Sequence, residues 1–538
     1  METNAWAESS GLQTILYSPI KGSHELAFEA LFTDLVGFQP EELDAPAIRT
    51  SIVNASNTIM PPEELASKSP EEIRRQIASF ARNILDSSSE PIPSDYREFV
   101  AKYDRAIYNS WYVNPNSQEN QFFGYTIKET LGVGAFANVF SAISSSGEAC
   151  AIKILKQDIS ENDAMLSCFR RGINSMRILE KNKIKGMVRL IDAVELPGTI
   201  IMEYIDGPTL EQSIESRMLD PWDDGLEVLL DVTKIIQSGH YLPERVLHRD
   251  LRPSNVMLRN YYDTNSDNEV IILDFDLSWH KGAYEVSLQQ HAQAALGYLA
   301  PEQILPSMSV STRNAAVDTY GLCATIWFVF TAEHPRQGLF TDTNFDTLFY
   351  QKCAALRSSS FSCGRNRVCR LIKSGTKFIQ SERLDFGEIL RELSLLHTAV
   401  VDINRINSSD FWAEELICRV RGERNYGYNR DLGRYVSSLV NGIDIYLEPN
   451  LTTNFINLSL EYASRGTDSR AGVTKFLSAR LPEATSLLKR ANFEVEGAPA
   501  SWGTTFSVKA SISLELLRDD IGLVARHLSQ TIQRLTLQ

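Results

Sequence analysis

The sequence predicts a multi-domain α+β protein, on three observations. The chain has 538 residues, more than one hydrophobic core ordinarily serves, which implies about three or four units. From Tyr125 onward, apolar and polar residues alternate around tight glycine turns, as in paired strands. On either side the pattern changes: helix-spaced apolar stripes precede residue 114, and a strand followed by a helix closes the chain.

In "SPEEIRRQIASFARNIL" (69–85), Ser69 reads as an N-cap, Pro70 as the first helical residue and Glu72 as the capping-box partner. Ile73, Ile77, Phe80 and Ile84 form one stripe. A second helix is expected through "DYREFVAKYDRAIYNSWY" (95–112), beyond the loop "DSSSEPIPS". Residues 1–113 are therefore expected to form an acidic helical domain, and the polar, Asn-rich 114–124 a linker. In the last segment, 398–538, Phe506, Val508, Ala510, Ile512 and Leu514 alternate with polar residues as a half-buried strand. Ile521, Val524, Leu528, Ile532 and Leu535 then come at helical spacing. This is an α+β domain of no type evident from its residues.

Composition narrows the classes of function. Apolar residues at 43% and charged residues at 22% suit a folded globular chain. A formal charge of −15, with the largest acid excess in the first 120 residues and no basic block, argues against nucleic-acid or anionic-membrane partners. The start "METNAWAESSGLQ" has neither a basic nor an apolar leader region, and "YGLCATIWFVFTA" (320–332) is too short to span a bilayer and reads as a buried helix. Seven scattered cysteines suit reduced thiols, and "CGRNRVC" (363–369) has no second Cys or His pair nearby to complete a zinc site. A cytoplasmic location is expected.

Four stretches between residues 125 and 397 carry chemistry. "LGVGAFANV" (131–139) puts Gly132 and Gly134 between two strands, where missing side chains let backbone amides approach a polyphosphate. Taken alone, such glycines are more often simply a hairpin turn. "ACAIKIL" (149–155) is an apolar strand interrupted by Lys153, and a buried ammonium needs an anion. "VLHRDLRPSNVML" (246–258) offers Asp250 to accept a hydroxyl proton, Arg252 to sit on a moving phosphoryl group and Asn255 to hold a divalent cation. "VIILDFDLSWHKG" (270–282) ends an apolar strand on Asp274, a hard oxygen ligand suited to magnesium.

In that order, these stretches resemble the eukaryotic-type (Hanks-type) protein kinase family over 125–397, together with "IIMEYIDGPTL" (200–210), "GYLAPEQ" (297–303), "VDTYGL" (317–322) and "SERLDFGEILREL" (381–393). The resemblance implies a bilobal fold, with a β-rich small lobe and a helical large lobe. It also implies ATP and Mg2+ as cofactors and a protein substrate, with the flanking domains recruiting substrate or controlling activity. By the same resemblance, Asp250, Arg252 and Lys153 are catalytic, and Asn255 and Asp274 hold metal. The nucleotide lies against Leu131, Gly132, Gly134, Val139, Ala151, Lys153, Met202 as gatekeeper, and the backbones of Glu203 and Ile205. Asp318 is implied to brace the catalytic loop.

The departures from the family pattern are specific. In "CFRRGINSMRIL" (168–179), Gly172 stands where the family carries the Glu that holds the lysine; either an acid such as Glu161, Asp163 or Glu180 replaces it or the helix sits differently. Ala137 replaces a third loop glycine, Ala295 replaces a Thr, and Arg252 replaces a Lys. Asp276 replaces the glycine of the metal motif, giving DFD in place of DFG; it reads either as a further metal-side carboxylate or as an exposed or capping acid. Ser278, Tyr284 and Ser287 are candidate phosphosites. The leading expectation is a protein kinase acting on Ser or Thr. A small-molecule phosphotransferase on a kinase-like fold and a nucleotide-binding pseudokinase scaffold are the alternatives; "GYLAPEQ" and Asp318 weigh against the first, and Gly172 motivates the second.

Overall fold

The structure is a computed structural model describing residues 121–536, apart from 123–124, 135–136, 157–162, 196–197, 261–268, 282, 284–296, 306–309, 357–360, 439–442, 451, 464–469 and 503–504. The helices expected at 69–85 and 95–112, and the domain built on them, lie outside the described residues. The chain divides into two compact units. One takes in the described residues up to Ser216 with Asp231–Thr325; the other takes in Arg217–Leu230 with the described residues from Ile326 onward.

The first unit opens with an antiparallel six-stranded sheet. Its strands are β1 (Gln121–Phe122), β2 (Tyr125–Val133), β3 (Ala137–Ile143), β4 (Ala149–Leu155), β5 (Leu190–Glu195) and β6 (Gly198–Glu203), in the order β1-β2-β3-β4-β6-β5. The β3–β4 turn closes on Gly147, whose φ of 88° suits glycine, with its N–H donating to the Ser144 carbonyl at 3.0 Å. Register then decides what shares a face. Val139 pairs with Lys153, and Ala151 pairs with Met202. Lys153 and Ala151 are two residues apart, so all four share one side of the sheet. Phe140, Ile152 and Ile154 fill the other side and are fully buried.

Helix α1 (Asp163–Lys181) presents Phe169, Ile173, Met176 and Leu179 as a buried stripe. Beyond the sheet come α2 (Leu210–Glu215), α3 (Asp224–His240), the hairpin β7 (Val256–Arg259) and β8 (Glu269–Ile272), α4 (Pro301–Ile304) and α5 (Ala316–Thr331). In the hairpin, Val256 pairs with Ile272 and the Leu273 N–H donates to the Asn255 carbonyl at 2.8 Å, so Asn255 and Asp274 flank one end of it. The apolar run at 320–332 is indeed a buried helix as far as Thr331, the greater part of α5. The β-rich small lobe and helical large lobe expected within 125–397 are both present.

The second unit holds α6 (Phe345–Lys352), α7 (Gly364–Gly375), α8 (Phe386–Asp402) and α9 (Ser409–Arg421), and then a second antiparallel sheet. Its strands are β9 (Gly427–Asn429), β10 (Arg434–Ser438), β11 (Ile443–Asn450), β12 (Phe455–Ala463), β13 (Glu494–Trp502) and β14 (Thr505–Ser513), in the order β13-β14-β12-β11-β10-β9. Ile456, Leu458 and Leu460 of β12 and Val508, Ala510 and Ile512 of β14 supply its buried face. Helices α9 and α10 (Arg470–Arg490) pack with it, and α12 (Ile521–Leu535) packs on those two helices. The closing strand stops one residue earlier than its alternation suggests. Ser513 caps the next helix, α11 (Leu514–Asp519), by accepting the Leu516 N–H, and that turns Leu514 into a buried helical residue.

Buried charge ties α7 to α9 inside this unit. Arg367 of α7 donates to Glu392 at 2.6 Å, to Glu414 at 2.7 Å and to Asp410 at 3.1 Å, and Glu414 also accepts from Arg370 and from the Tyr435 hydroxyl. Neighbouring Glu415 accepts the backbone N–H groups of Ser362 and Cys363, satisfying donors at the start of α7. All seven cysteines are free and buried.

Candidate active site

The polar residues of the catalytic loop are held from behind by one carboxylate. Asp318, in the first turn of α5 and 1% exposed, accepts the His248 N–H at 3.0 Å, the Arg249 N–H at 2.6 Å and the His240 imidazole at 2.7 Å. Burial raises its pKa, but the hydrogen bond and charge of His240 outweigh that and keep it below the ordinary carboxylate range. His248 Nε2 lies 2.7 Å from the Leu273 carbonyl, which can only accept, so the proton sits on Nε2; Nδ1 is left to accept the Asp250 N–H at 3.2 Å. Desolvation holds this imidazole neutral by lowering its pKa. Arg249 bends the loop with a φ of 68°, a strained value for a non-glycine residue.

That loop buries Asp250 to 7% exposure. Its Oδ2 faces Asn255 Nδ2 at 3.1 Å and Arg252 Nε at 3.5 Å, while Oδ1 has no hydrogen-bond partner among the described residues. Desolvation pushes the Asp250 carboxyl up to about 7, against the pull of the Arg252 charge and the Asn255 hydrogen bond. Asn255 also donates to the Asp250 carbonyl at 2.8 Å, which pins its amide nitrogen toward the loop.

Asp274 leaves β8 with a φ of 59°, a sharp turn at the strand end. Its Oδ1 lies 2.9 Å from Lys153 Nζ, and Oδ2 of Asp276 lies 2.7 Å from the same nitrogen. Burial pulls the ammonium pKa down, but the two carboxylates overcome it and the net shift is upward. Of the two acids, Asp274 is held low, at about 2, by Lys153 acting against burial. Burial and the neighbouring Asp274 charge push Asp276 up. Asp276 is therefore neither exposed nor a cap. The turn at Asp274 breaks the extended geometry in which the two acids would simply point the same way, and both converge on the lysine.

Phe275 between them is buried and packs edge-on against His248, with ring centroids 4.9 Å apart. Gly172 of α1 lies against the same segment: a Cβ there would stand 2.8 Å from the Phe275 carbonyl oxygen and 3.3 Å from the Asp276 Cα. Ser278 is fully buried and donates to Ser175 of α1 at 2.8 Å, and Ser175 contacts His280 Nδ1 at 3.1 Å. Among the other candidate phosphosites, Tyr284 and Ser287 lie outside the described residues. Of the acids considered as partners for Lys153, Glu161 is outside them as well, Asp163 begins α1, and Glu180 is exposed.

On the side expected to face the nucleotide, Leu131 is 42% exposed and a Cβ on Gly132 would meet nothing within 4 Å. Ala151 and Ile205 are buried, and Met202 is half-buried. The Glu203 carboxylate is spoken for: it accepts the Arg189 N–H at 2.8 Å and pairs with Arg259 at 2.7 Å. The Glu203 backbone N–H donates to the Arg189 carbonyl at 3.0 Å. The structure thus gathers Lys153, Asp250, Arg252, Asn255 and Asp274 within one unit. Sequence reasoning missed the Lys153–Asp276 pair and the close packing of Gly172. A signal for both was present, since the chain lacks an acid at 172 and has an extra one at 276.

Comparison with known proteins bears on the same region. A family model for the protein kinase domain matches residues 125–393. A probable serine/threonine-protein kinase PknB of Lactococcus lactis is 28% identical over 220 residues, which is 40% of this chain and 32% of that protein. A probable serine/threonine-protein kinase of Streptomyces coelicolor, SCO3848, is 31% identical over 223 residues, 40% of this chain and 31% of that protein. The match thus spans about a third of the length of these curated relatives. Among solved structures, the kinase domain of Mycobacterium tuberculosis PknI aligns with 52% of this chain and 99% of its own, at 19% identity and a TM-score of 0.38.

Proposed function

The chain belongs to the protein kinase family, and from that premise we propose that it is an ATP- and Mg2+-dependent protein kinase transferring the γ-phosphoryl group to a Ser or Thr hydroxyl of a protein. The observation that carries this reading is the Asp250 carboxylate. It is buried beside Asn255, with one oxygen unpartnered among the described residues and a pKa of about 7, which suits a general base working at neutral pH. Asp250 accepts the proton of the acceptor hydroxyl as that oxygen bonds to the γ-phosphorus and the bond to the bridging oxygen of ADP breaks.

Asn255 and Asp274, at one end of the β7–β8 hairpin, are the residues that would hold a divalent cation, and the hard oxygens they offer fit magnesium. When bound, that cation neutralises charge on the polyphosphate. Lys153 and the amides around Gly132 and Gly134 stabilise the phosphates, and Arg252 supplies positive charge beside Asp250. Leu131, Val139, Ala151, Met202 and the backbones of Glu203 and Ile205 border the adenine. The flanking regions recruit substrate or control activity. Seven free, buried thiols support a cytoplasmic setting, and no described helix is long and apolar enough to cross a membrane.

The test is incubation of the purified chain with labelled ATP and Mg2+, with and without a generic protein acceptor, beside an Asp250→Ala control. Label on protein that disappears in the control is expected. Tight ATP binding without transfer would instead support a scaffold, and label on a small molecule alone a small-molecule phosphotransferase.

A further inference from the structure

Lys153 needs an anion to hold its ammonium in place, and the family pattern would take that anion from the helix α1 position occupied here by Gly172. No side chain fits there. A Cβ at 172 would meet the Phe275 carbonyl oxygen at 2.8 Å and carbonyl carbon at 3.1 Å, and the Asp276 Cα at 3.3 Å. These are backbone atoms, which cannot rotate aside. The helix has come down onto the metal motif so closely that no carboxylate can be presented from this point of it. Its placement is held by the buried Ser278–Ser175 hydrogen bond and by the Ser175–His280 contact, neither of which involves the lysine.

The missing carboxylate is supplied from the opposite side of that contact. Asp276 Oδ2 lies 2.7 Å from Lys153 Nζ, with the two side chains 14% and 11% exposed. Asp274 also reaches the lysine, at 2.9 Å, but its side chain is 30% exposed. We infer that Asp276 is the positioning residue for Lys153, taking over the work of the absent helix acid, and that Gly172 and Asp276 form one exchange: the acid has moved from the helix to the segment the helix packs on. Asp274 gives the lysine only Oδ1, so the exchange leaves its Oδ2 for a metal ion, and it assigns Asp276 to the lysine rather than to the cation. The catalytic part of this inference rests on the kinase reading; the pairing itself does not.

A four-member cycle separates the two: the full chain, Lys153→Met, Asp276→Asn and the double variant. The first readout is the urea midpoint without nucleotide or magnesium. If Asp276 acts through Lys153, the double variant unfolds at a midpoint no lower than the less stable single variant. Additive shifts overturn the pairing whether or not the protein turns over ATP. The second readout is phosphoryl transfer. Asp276→Asn is expected to lower kcat/KM for ATP tenfold or more and to leave the magnesium activation constant within twofold. In the Lys153→Met background it should have less than a twofold further effect. A magnesium constant shifted fivefold or more would make Asp276 a metal ligand and overturn the assignment. Loss of transfer by the unaltered chain, with coupling intact in urea, would count against the kinase reading and leave the pairing standing.

Discussion

Asp250 is where burial and chemistry meet in a single side chain. Its carboxyl has been pushed up to about 7, mainly by desolvation, against about 3.9 for an exposed aspartate. Only the ionised form can take a hydroxyl proton, so kcat/KM is expected to rise with pH through about 7 and to fall on the acid side; a pH–rate profile checks this. Stability carries the opposite sign. Between about 3.9 and about 7 the folded chain binds a proton that the unfolded chain has released, so this group's contribution is full at low pH and is lost as pH rises through about 7. Asp250→Asn, which cannot ionise, should therefore be more stable than the unaltered chain at pH 8 by about 1 kcal/mol or more, while transfer falls by about 100-fold or more. Urea unfolding at pH 4 and pH 8 reads the first effect, and turnover reads the second. Residues such as Asp250, Lys153 and Asn255 were legible in the sequence because each is a polar interruption of an apolar strand or loop support. Asp276 was not: its direction depends on the left-handed turn at Asp274, and nothing in the letters "DFD" announces a φ of 59°.

Among elements, α1 shows how far a pattern can be trusted. Its place in the family pattern was readable from "CFRRGINSMRIL", whereas its depth against the Phe275 segment was not, because that depends on a glycine reaching a backbone distant in sequence. Gly172→Ala should cost about 1–3 kcal/mol in unfolding free energy, since the added methyl group meets a carbonyl oxygen that cannot yield. Restoring the family residues in both places, Gly172→Glu with Asp276→Gly, should not recover transfer, because the added Cβ still meets the same backbone. Recovery in that double variant would mean that α1 shifts freely. The second sheet gives the complementary lesson. Alternation located β14 and helical spacing located α12, but the short helix between them followed from the Ser513 cap. Ser513→Ala should lower the urea midpoint by an amount corresponding to about 1 kcal/mol.

At the scale of the whole molecule, what the sequence conceals most fully is long-range ionic pairing. In "CGRNRVC" the eye goes to the cysteines, yet Arg367 between them makes the far-reaching contacts, to Glu392, Asp410 and Glu414. Burial raises the pKa of Glu414, but Arg370 and Arg367 more than reverse this, so it stays below the ordinary range. Its contribution to stability is present above the unfolded pKa, about 4.3, and is lost as pH falls through the depressed folded value. Acid unfolding should therefore lose its dependence on this site in Glu414→Ala, a variant expected to cost about 3–5 kcal/mol at neutral pH by stranding buried guanidinium charge. The same network has a practical bearing on where the chain can be cut. Residue 397 looks like a natural place to trim an expression fragment, but that cut removes Asp410, Glu414 and Glu415 together. Arg367 keeps only Glu392, and the amides at the start of α7 lose their acceptor. A fragment ending at 397 should be recovered mainly as insoluble protein, and one running to 538 as soluble protein; equal soluble yields would show that the catalytic region does not depend on residues 398–538.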